Sequence, residues 1–392
     1  MNKIVFTEEF CTPENLFPFT LTRQVQDIRI GILTIREKWE MHLRLVSFDK
    51  FENDYKDLER AIVLGEATNN EVFCLLHGNI LPTKRLIKQI KKLKPGEFIS
   101  VPERESVAYC ISRQEIVDEN RIKVGNVVEV DEEIKEIKYP WDIFQMNALA
   151  IEQDFDLLTN GRKSQKIHLS NIVRKSSHIF IEKGASVEGS YLNAEEGPIY
   201  IGKGALVMEG SMLRGPVSIG DSAVVKMGSR IYGATTIGPG CTVGGEIKNS
   251  VFFGNSNKAH DGYIGDSVIG EWCNIGAGTS NSNIKNTASE VIVFTPSGPR
   301  NVGIKCGVLM GDYSRTAINT SINTGTVIGV SVNVYGSGLT PKYIPNFSWG
   351  SEGVERYRLE KAFTDINNWK AMKGSSLSES EKSILKHIFD HY

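Results

Sequence analysis

The sequence predicts an α/β domain over residues 1–160, a parallel β-helix over residues 165–342, and a helical tail over residues 343–392. Three observations predict this. Strand and helix patterns alternate through the first part. Aliphatic residues then recur every six positions. Two helical patterns follow where that repeat stops.

In the first part, Ile4-Val5-Phe6 and residues 71–76 read as buried strands. Leu86, Ile87, Ile90 and Leu93 fall at helical spacing, with Lys84, Arg85, Lys88 and Lys91 mostly on the other face. Pro95-Gly96 ends that helix, and residues 98–101 and 107–110 read as further strands. Residues 139–158 read as a helical connector carrying Phe144, Met146, Leu149 and Ile151.

The repeat is clearest at Ile201, Val207, Leu213, Ile219, Val225, Ile231, Ile237 and Val243, every interval being six. Ile181 and Val187 carry it upstream, before an insertion at residues 193–198. Ile304, Met310, Thr316, Ile322, Ile328 and Val334 carry it downstream. A short strand and a tight turn every six residues place one aliphatic side chain inward on each face of a triangular prism. Three faces close a coil, and each coil pairs with the coils above and below it. The register is expected to fail between Val243 and Ile269, and a polar loop is expected over residues 280–300. Irregular loops on a rigid scaffold are where function concentrates.

After Tyr343, residues 355–369 and 379–389 read as helices, the second with Ser376 and Glu379 spaced as a capping box.

Composition excludes several classes. Apolar content of 40% and charged content of 23% are ordinary for a globular protein, and the net charge of −2 argues against a nucleic-acid or membrane partner. No signal-peptide core and no apolar run of membrane-spanning length is present, so a cytoplasmic protein is expected. Six scattered cysteines without a CxxC pair suit reduced thiols.

Some motifs carry a resemblance. Ile269-Gly-x-x-x-Asn-Ile-Gly-Ala-Gly-Thr279, continuing to Asn283 and preceded by His260-x-x-Tyr263-Ile-Gly-Asp266, resembles the bifunctional N-acetylglucosamine-1-phosphate uridylyltransferase / glucosamine-1-phosphate acetyltransferase family. Residues 311–322 are similar to its archaeal-type branch. Leu16-Phe-Pro-Phe-Thr-Leu-Thr-Arg23 and residues 27–39 are similar to a variant bacterial branch. The resemblance implies a left-handed hand for the β-helix, against the usual crossover rule, and a Rossmann-like nucleotidyltransferase domain before it. It also implies a homotrimer with sites between adjacent prisms, and acetyl-CoA as co-substrate in UDP-N-acetylglucosamine synthesis.

N-acetylation of an amino sugar needs a base for the amine, a positioned thioester and oxyanion stabilisation. Imidazole titrates near neutral pH, and the family's catalytic histidine falls at His260. Its sugar-binding lysine falls at Lys248 and its phosphate-gripping arginine at Arg230, with Tyr263 and Asn283 completing the substrate set. On 18-residue coils Arg230 and Lys248 would also stack on one face and converge on one anion. Where the classical enzymes have tyrosine next to the asparagine, this chain has Ile284. Ala277, Ser280, Lys305 and Arg315 are expected along coenzyme A.

The first domain departs from the nucleotidyltransferase pattern. Val5 to Phe10 lacks the glycine-rich phosphate loop, and Gly78-Asn79 puts an amide where a Mg²⁺-binding Asp is expected. Arg23, Arg29, Arg36 and Lys38 are candidates for a nucleotide phosphate, and Asn79 for the metal. The leading expectation is an acetyl-CoA-dependent acetyltransferase on glucosamine 1-phosphate. It leaves open uridylyl transfer with UTP and Mg²⁺. The alternatives are a nucleotidyltransferase whose β-helix oligomerises or regulates, and a scaffold without activity. A zinc carbonic anhydrase is disfavoured, because His260 is the sole histidine between Ile181 and Val334.

Overall fold

The computed structural model describes residues 3–8, 11–47, 71–102, 104–118, 121–353 and 355–392. Glu9 and Phe10, at the end of the stretch read as lacking a phosphate loop, lie outside these. By packing, the chain forms two units. Met1–Pro13, Arg23–Ile28 and Leu33–Lys138 make the first; Glu14–Thr22, Arg29–Ile32 and Tyr139–Tyr392 make the second.

The first unit is built on a mixed sheet of six strands, in the order Asn126–Glu129, Glu97–Val101, Arg104–Ser112, Val72–His77, Lys3–Thr7, Val46–Ser47. Lys3–Thr7 pairs in parallel with the strands on both sides, while Arg104–Ser112 is antiparallel to its neighbours. Val5, Phe73, Leu75, Tyr109 and Ile111 pack one core. Thr34 and Glu37 cap helix Ile35–Leu43 reciprocally, and Thr83 caps Lys84–Ile90.

The second unit is a parallel β-solenoid. Each coil contributes one short strand to each of three faces. The first face runs from Ile172–Arg174 through Arg230–Tyr232 and Glu246–Lys248 to Tyr263–Gly265. The second runs from Ile179–Ile181 to Tyr343–Ile344, and the third from Ser186–Val187 to Ser348–Trp349. The hexad residues from Ile201 to Val243 all point into one continuous core. Downstream, Ile304 is exposed and does not join it.

The six-residue register is lost after Val243 as expected, but the coils continue through the break. Ile247, Phe252, Lys258, Ile264 and Ile269 continue the inward positions, and every strand pairs in parallel with the coil before it. The coils simply shorten at the corners, so Ile231 aligns with Ile247, sixteen residues on. The interruption at residues 280–300 is real, and holds a hairpin of Ile292–Val293 with Arg300–Asn301.

Two faces are covered within this unit. Over the second face lie helices Pro140–Gln145 and Asn147–Thr159 together with the early segments. Asn147, fully buried, accepts from Gly31 N at 2.7 Å and donates to Thr236 Oγ1 at 3.1 Å. Phe19 packs on Phe253, Arg29 Nε donates to the Phe253 carbonyl, and Thr22 donates to Asp312 at 2.7 Å. The third face carries the tail helices Leu359–Ala371 and Glu379–His391. There Lys370 lies over Trp272, and Tyr313 donates to Glu381 at 2.9 Å. The capping box of the last helix is Ser378 with Glu381, two residues beyond the expected pair, because the same spacing recurs in Ser376-Leu-Ser-Glu-Ser-Glu381. The solenoid ends on an antiparallel return strand, Glu355–Arg356 against Ser348–Trp349.

Candidate functional site

The first face presents two outward columns. One reads Ile172, Tyr191, Met212, Arg230, Glu246, Tyr263; the other Arg174, Asn193, Arg214, Tyr232, Lys248, Gly265. They change from apolar and mixed at the first coils to charged and polar at the last three. A surface groove of about 670 Å³ runs over the first four coils, from Ile172 to Tyr232.

Arg230 and Lys248 lie on this face, on adjacent coils, but they do not stack. The sixteen-residue coil sets Arg230 beside Glu246 and Lys248 beside Tyr232. Glu246 takes Arg230 Nε at 3.5 Å and the Tyr232 hydroxyl at 2.8 Å. Lys248 Nζ sits 5.8 Å from the centre of the Tyr232 ring. Glu246 was not foreseen: a carboxylate stands within the expected anion pair.

Tyr263 follows Glu246 in its column, and its hydroxyl accepts from Asn283 Nδ2 at 3.1 Å. Burial, then the charge of Asp266, push this phenol up to about 12, so it is neutral and able to donate. Its backbone N–H is held by Ser280 Oγ at 3.0 Å.

His260 is exposed on the bend between Asn257–Lys258 and Tyr263–Gly265, and no described residue hydrogen-bonds its ring. The bend is anchored underneath. Gly278 N donates to the Asp261 carbonyl at 2.9 Å. Gly262 has φ +121° and passes so close to Thr279 that a Cβ would meet its carbonyl oxygen at 2.1 Å. Lys258 occupies an aliphatic core position and is 1% exposed. Its Nζ donates to the carbonyls of His260 at 2.7 Å and Gly244 at 3.2 Å. Burial lowers this amine to about 8, partly offset by Asp261.

The expected coenzyme residues are divided. Ala277 and Ser280 border the His260 bend, and Lys305 is exposed. Arg315 is not available: it is 8% exposed on the third face, against the Trp369 ring of the tail, with Nε and Nη2 unpartnered. The alternation of the strand points it outward, but the helices cover it.

Structural partners occupy most of the expected nucleotide-binding cations. Arg29 is engaged by the Phe253 and Ile32 carbonyls. Arg36 makes a forked pair with Asp27 and reaches Ser47 at 2.8 Å. Lys38 is buried, and Arg23 is half-buried. Asn79, 1% exposed, donates to Glu136 and to the Ile137 carbonyl, leaving Oδ1 without a partner. The nearby Glu136 is already paired with Arg104 and Lys138. Among the described residues no cluster of His, Cys, Asp or Glu could hold a metal. The surroundings of Asn79 do not fit Mg²⁺.

Residues 4–163 match the sugar nucleotidyl transferase family. That span is close to the expected first domain, although packing assigns residues 14–22, 29–32 and 139 onward to the solenoid unit. The chain is also similar to a bifunctional protein GlmU of Methanococcus maripaludis, 38% identical over 84 residues, 21% of this chain and 20% of that protein. A bifunctional sugar-1-phosphate nucleotidylyltransferase/acetyltransferase of Sulfurisphaera tokodaii is 39% identical over 95 residues, 23% of each. A GlmU of Wigglesworthia glossinidia brevipalpis is 36% identical over 89 residues, 23% of this chain and 17% of that one. The chain thus spans about a fifth of the length of the curated relatives it matches. No helix among the described residues is long and apolar enough to cross a membrane.

Proposed function

We propose that the solenoid is an acetyl-CoA-dependent N-acetyltransferase acting on an amino-sugar 1-phosphate, glucosamine 1-phosphate first. The observation that carries this reading is the convergence of Lys248, Tyr263 and Asn283 on the uncovered first face, with His260 exposed on the bend leading into Tyr263. Arg230 and Lys248 supply charge for the phosphate, and Tyr263 and Asn283 hydrogen-bond the sugar. His260 removes the amine proton as the amine attacks the thioester carbonyl. The C–N bond forms, the C–S bond breaks, and the proton passes to the departing thiolate. Ala277, Ser280 and Lys305 remain the coenzyme contacts in this reading. A cytoplasmic homotrimer, with adjacent prisms sharing sites, goes with it.

The test is thiol release from acetyl-CoA with glucosamine 1-phosphate. Wild type should release thiol, and H260A should not. No release by wild type across amino-sugar 1-phosphates would sink the reading.

A second reading concerns residues 4–163, whose family match favours nucleotidyl transfer. Pyrophosphate release from UTP and N-acetylglucosamine 1-phosphate, with Mg²⁺ added, tests it directly.

A further inference from the structure

Asp266 lies at the first-face corner, 4% exposed and with φ +48°. Its backbone is fixed on both sides: its N–H donates to the Lys248 carbonyl at 3.1 Å, and its carbonyl accepts from Gly307 at 2.7 Å. Both carboxylate oxygens are occupied by amides, Oδ1 by Asn249 Nδ2 at 2.7 Å and Oδ2 by Asn283 Nδ2 at 2.5 Å.

A carboxylate can only accept hydrogen bonds. Asn283 must therefore turn its NH₂ toward Asp266, whichever way its amide would otherwise lie. The second N–H of that NH₂ is spent on the Tyr263 hydroxyl. Two consequences follow. Asn283 Oδ1 is the atom left to face outward, as an acceptor. The Tyr263 hydroxyl, already accepting, keeps its own hydrogen to donate.

We propose that Asp266 is a positioning residue that sets the polarity of the Asn283–Tyr263 pair, so that the site offers an acceptor to a substrate amine and a donor beside it. This rests on the acetyltransferase reading, and it predicts selectivity for an amino sugar over its hydroxyl counterpart. An ammonium or amine donates to Asn283 Oδ1. An inverted amide would present N–H groups, which repel an ammonium.

The experiment measures calorimetric affinity of the full-length protein for glucosamine 1-phosphate and for glucose 1-phosphate. Wild type should prefer the amino sugar by tenfold or more, the scale of a charge-assisted hydrogen bond. D266N, which brings a donor against Asn283 and lets its amide invert, should reduce the preference to about twofold. Glucose 1-phosphate affinity should change little. D266A, which removes the acceptor without adding a donor, should fall between, and it serves if D266N does not fold. Either folded variant keeping the wild-type ratio overturns the proposal.

A second readout is independent of any sugar. Ultraviolet titration of Tyr263, isolated by subtracting Y263F spectra, should show its ionisation moving down by about one pH unit in D266N as the neighbouring charge is lost. If wild type binds neither sugar phosphate, the acetyltransferase reading fails, and an unchanged Tyr263 titration then sinks the positioning role as well. A shifted titration by itself reports only the Asp266 charge, so without sugar binding the positioning role falls together with the reading.

Discussion

Lys258 Nζ donates to the backbone carbonyl of His260 at 2.7 Å from inside the solenoid core. A lysine thus props the bend that carries the candidate base. Its amine is lowered to about 8 by burial, whereas an unfolded lysine titrates near about 10.4. Between those values the unfolded chain holds a proton that the folded chain has released. Stability contributed by this position therefore rises as pH increases across that window. Compared with K258M, wild type should gain up to about 3 kcal/mol from about pH 8 to about pH 10.5, read by urea denaturation of both proteins.

Gly262→Ala should disable the same bend from the other side. The added methyl would meet the Thr279 carbonyl oxygen, in a backbone conformation alanine does not adopt. Loss of about 2 kcal/mol or more in stability is expected, with thiol release falling out of proportion to the unfolded fraction.

Substituting exposed His260 with alanine should leave the thermal midpoint unchanged. Thiol release should fall by about 100-fold or more, the scale of a lost general base. A proportional fall in stability would instead mark His260 as structural.

Glu246→Gln removes the negative charge beside Arg230 while keeping an acceptor for the Tyr232 hydroxyl. Both side chains of the ion pair are partly exposed, so the effect is modest. The Michaelis constant for a sugar 1-phosphate should drop about two- to fivefold, with little change in turnover.

Asn147 is a buried amide that joins Gly31 to Thr236. Its replacement by alanine takes the partners from the Gly31 N–H and the Ala234 carbonyl, while the Thr236 hydroxyl keeps its bond to the Gly31 carbonyl. A cost of about 2–4 kcal/mol follows, seen as a lower thermal midpoint.

The solenoid was legible because a six-residue period has one simple physical cause, and Ile201 to Val243 carry it without a fault. The continuation past Val243 was hidden because Lys258 stands at an aliphatic position and the coils lose residues at their corners. That shortening also misplaced Arg230: spacing along the chain reports stacking only when coil length is constant. Tyr263 and Asn283 were legible from their motif, but their orientation was not, because Asp266 acts across seventeen residues of chain. Phe19 carried a family likeness without a role, and Arg29 was expected at a nucleotide phosphate. The partner they share, Phe253, lies more than two hundred residues away. Arg315 alternates outward like any surface residue, and only the tail helices bury it.

The antiparallel return of Glu355–Arg356 also bears on assembly. A parallel solenoid is a template that could grow without limit, since each coil offers the next an unfilled ladder of amides and carbonyls. Reversing the last strand on the third face ends that ladder with the wrong polarity for another coil. A second molecule arriving at this end meets a reversed edge on the third face, not another open parallel rung.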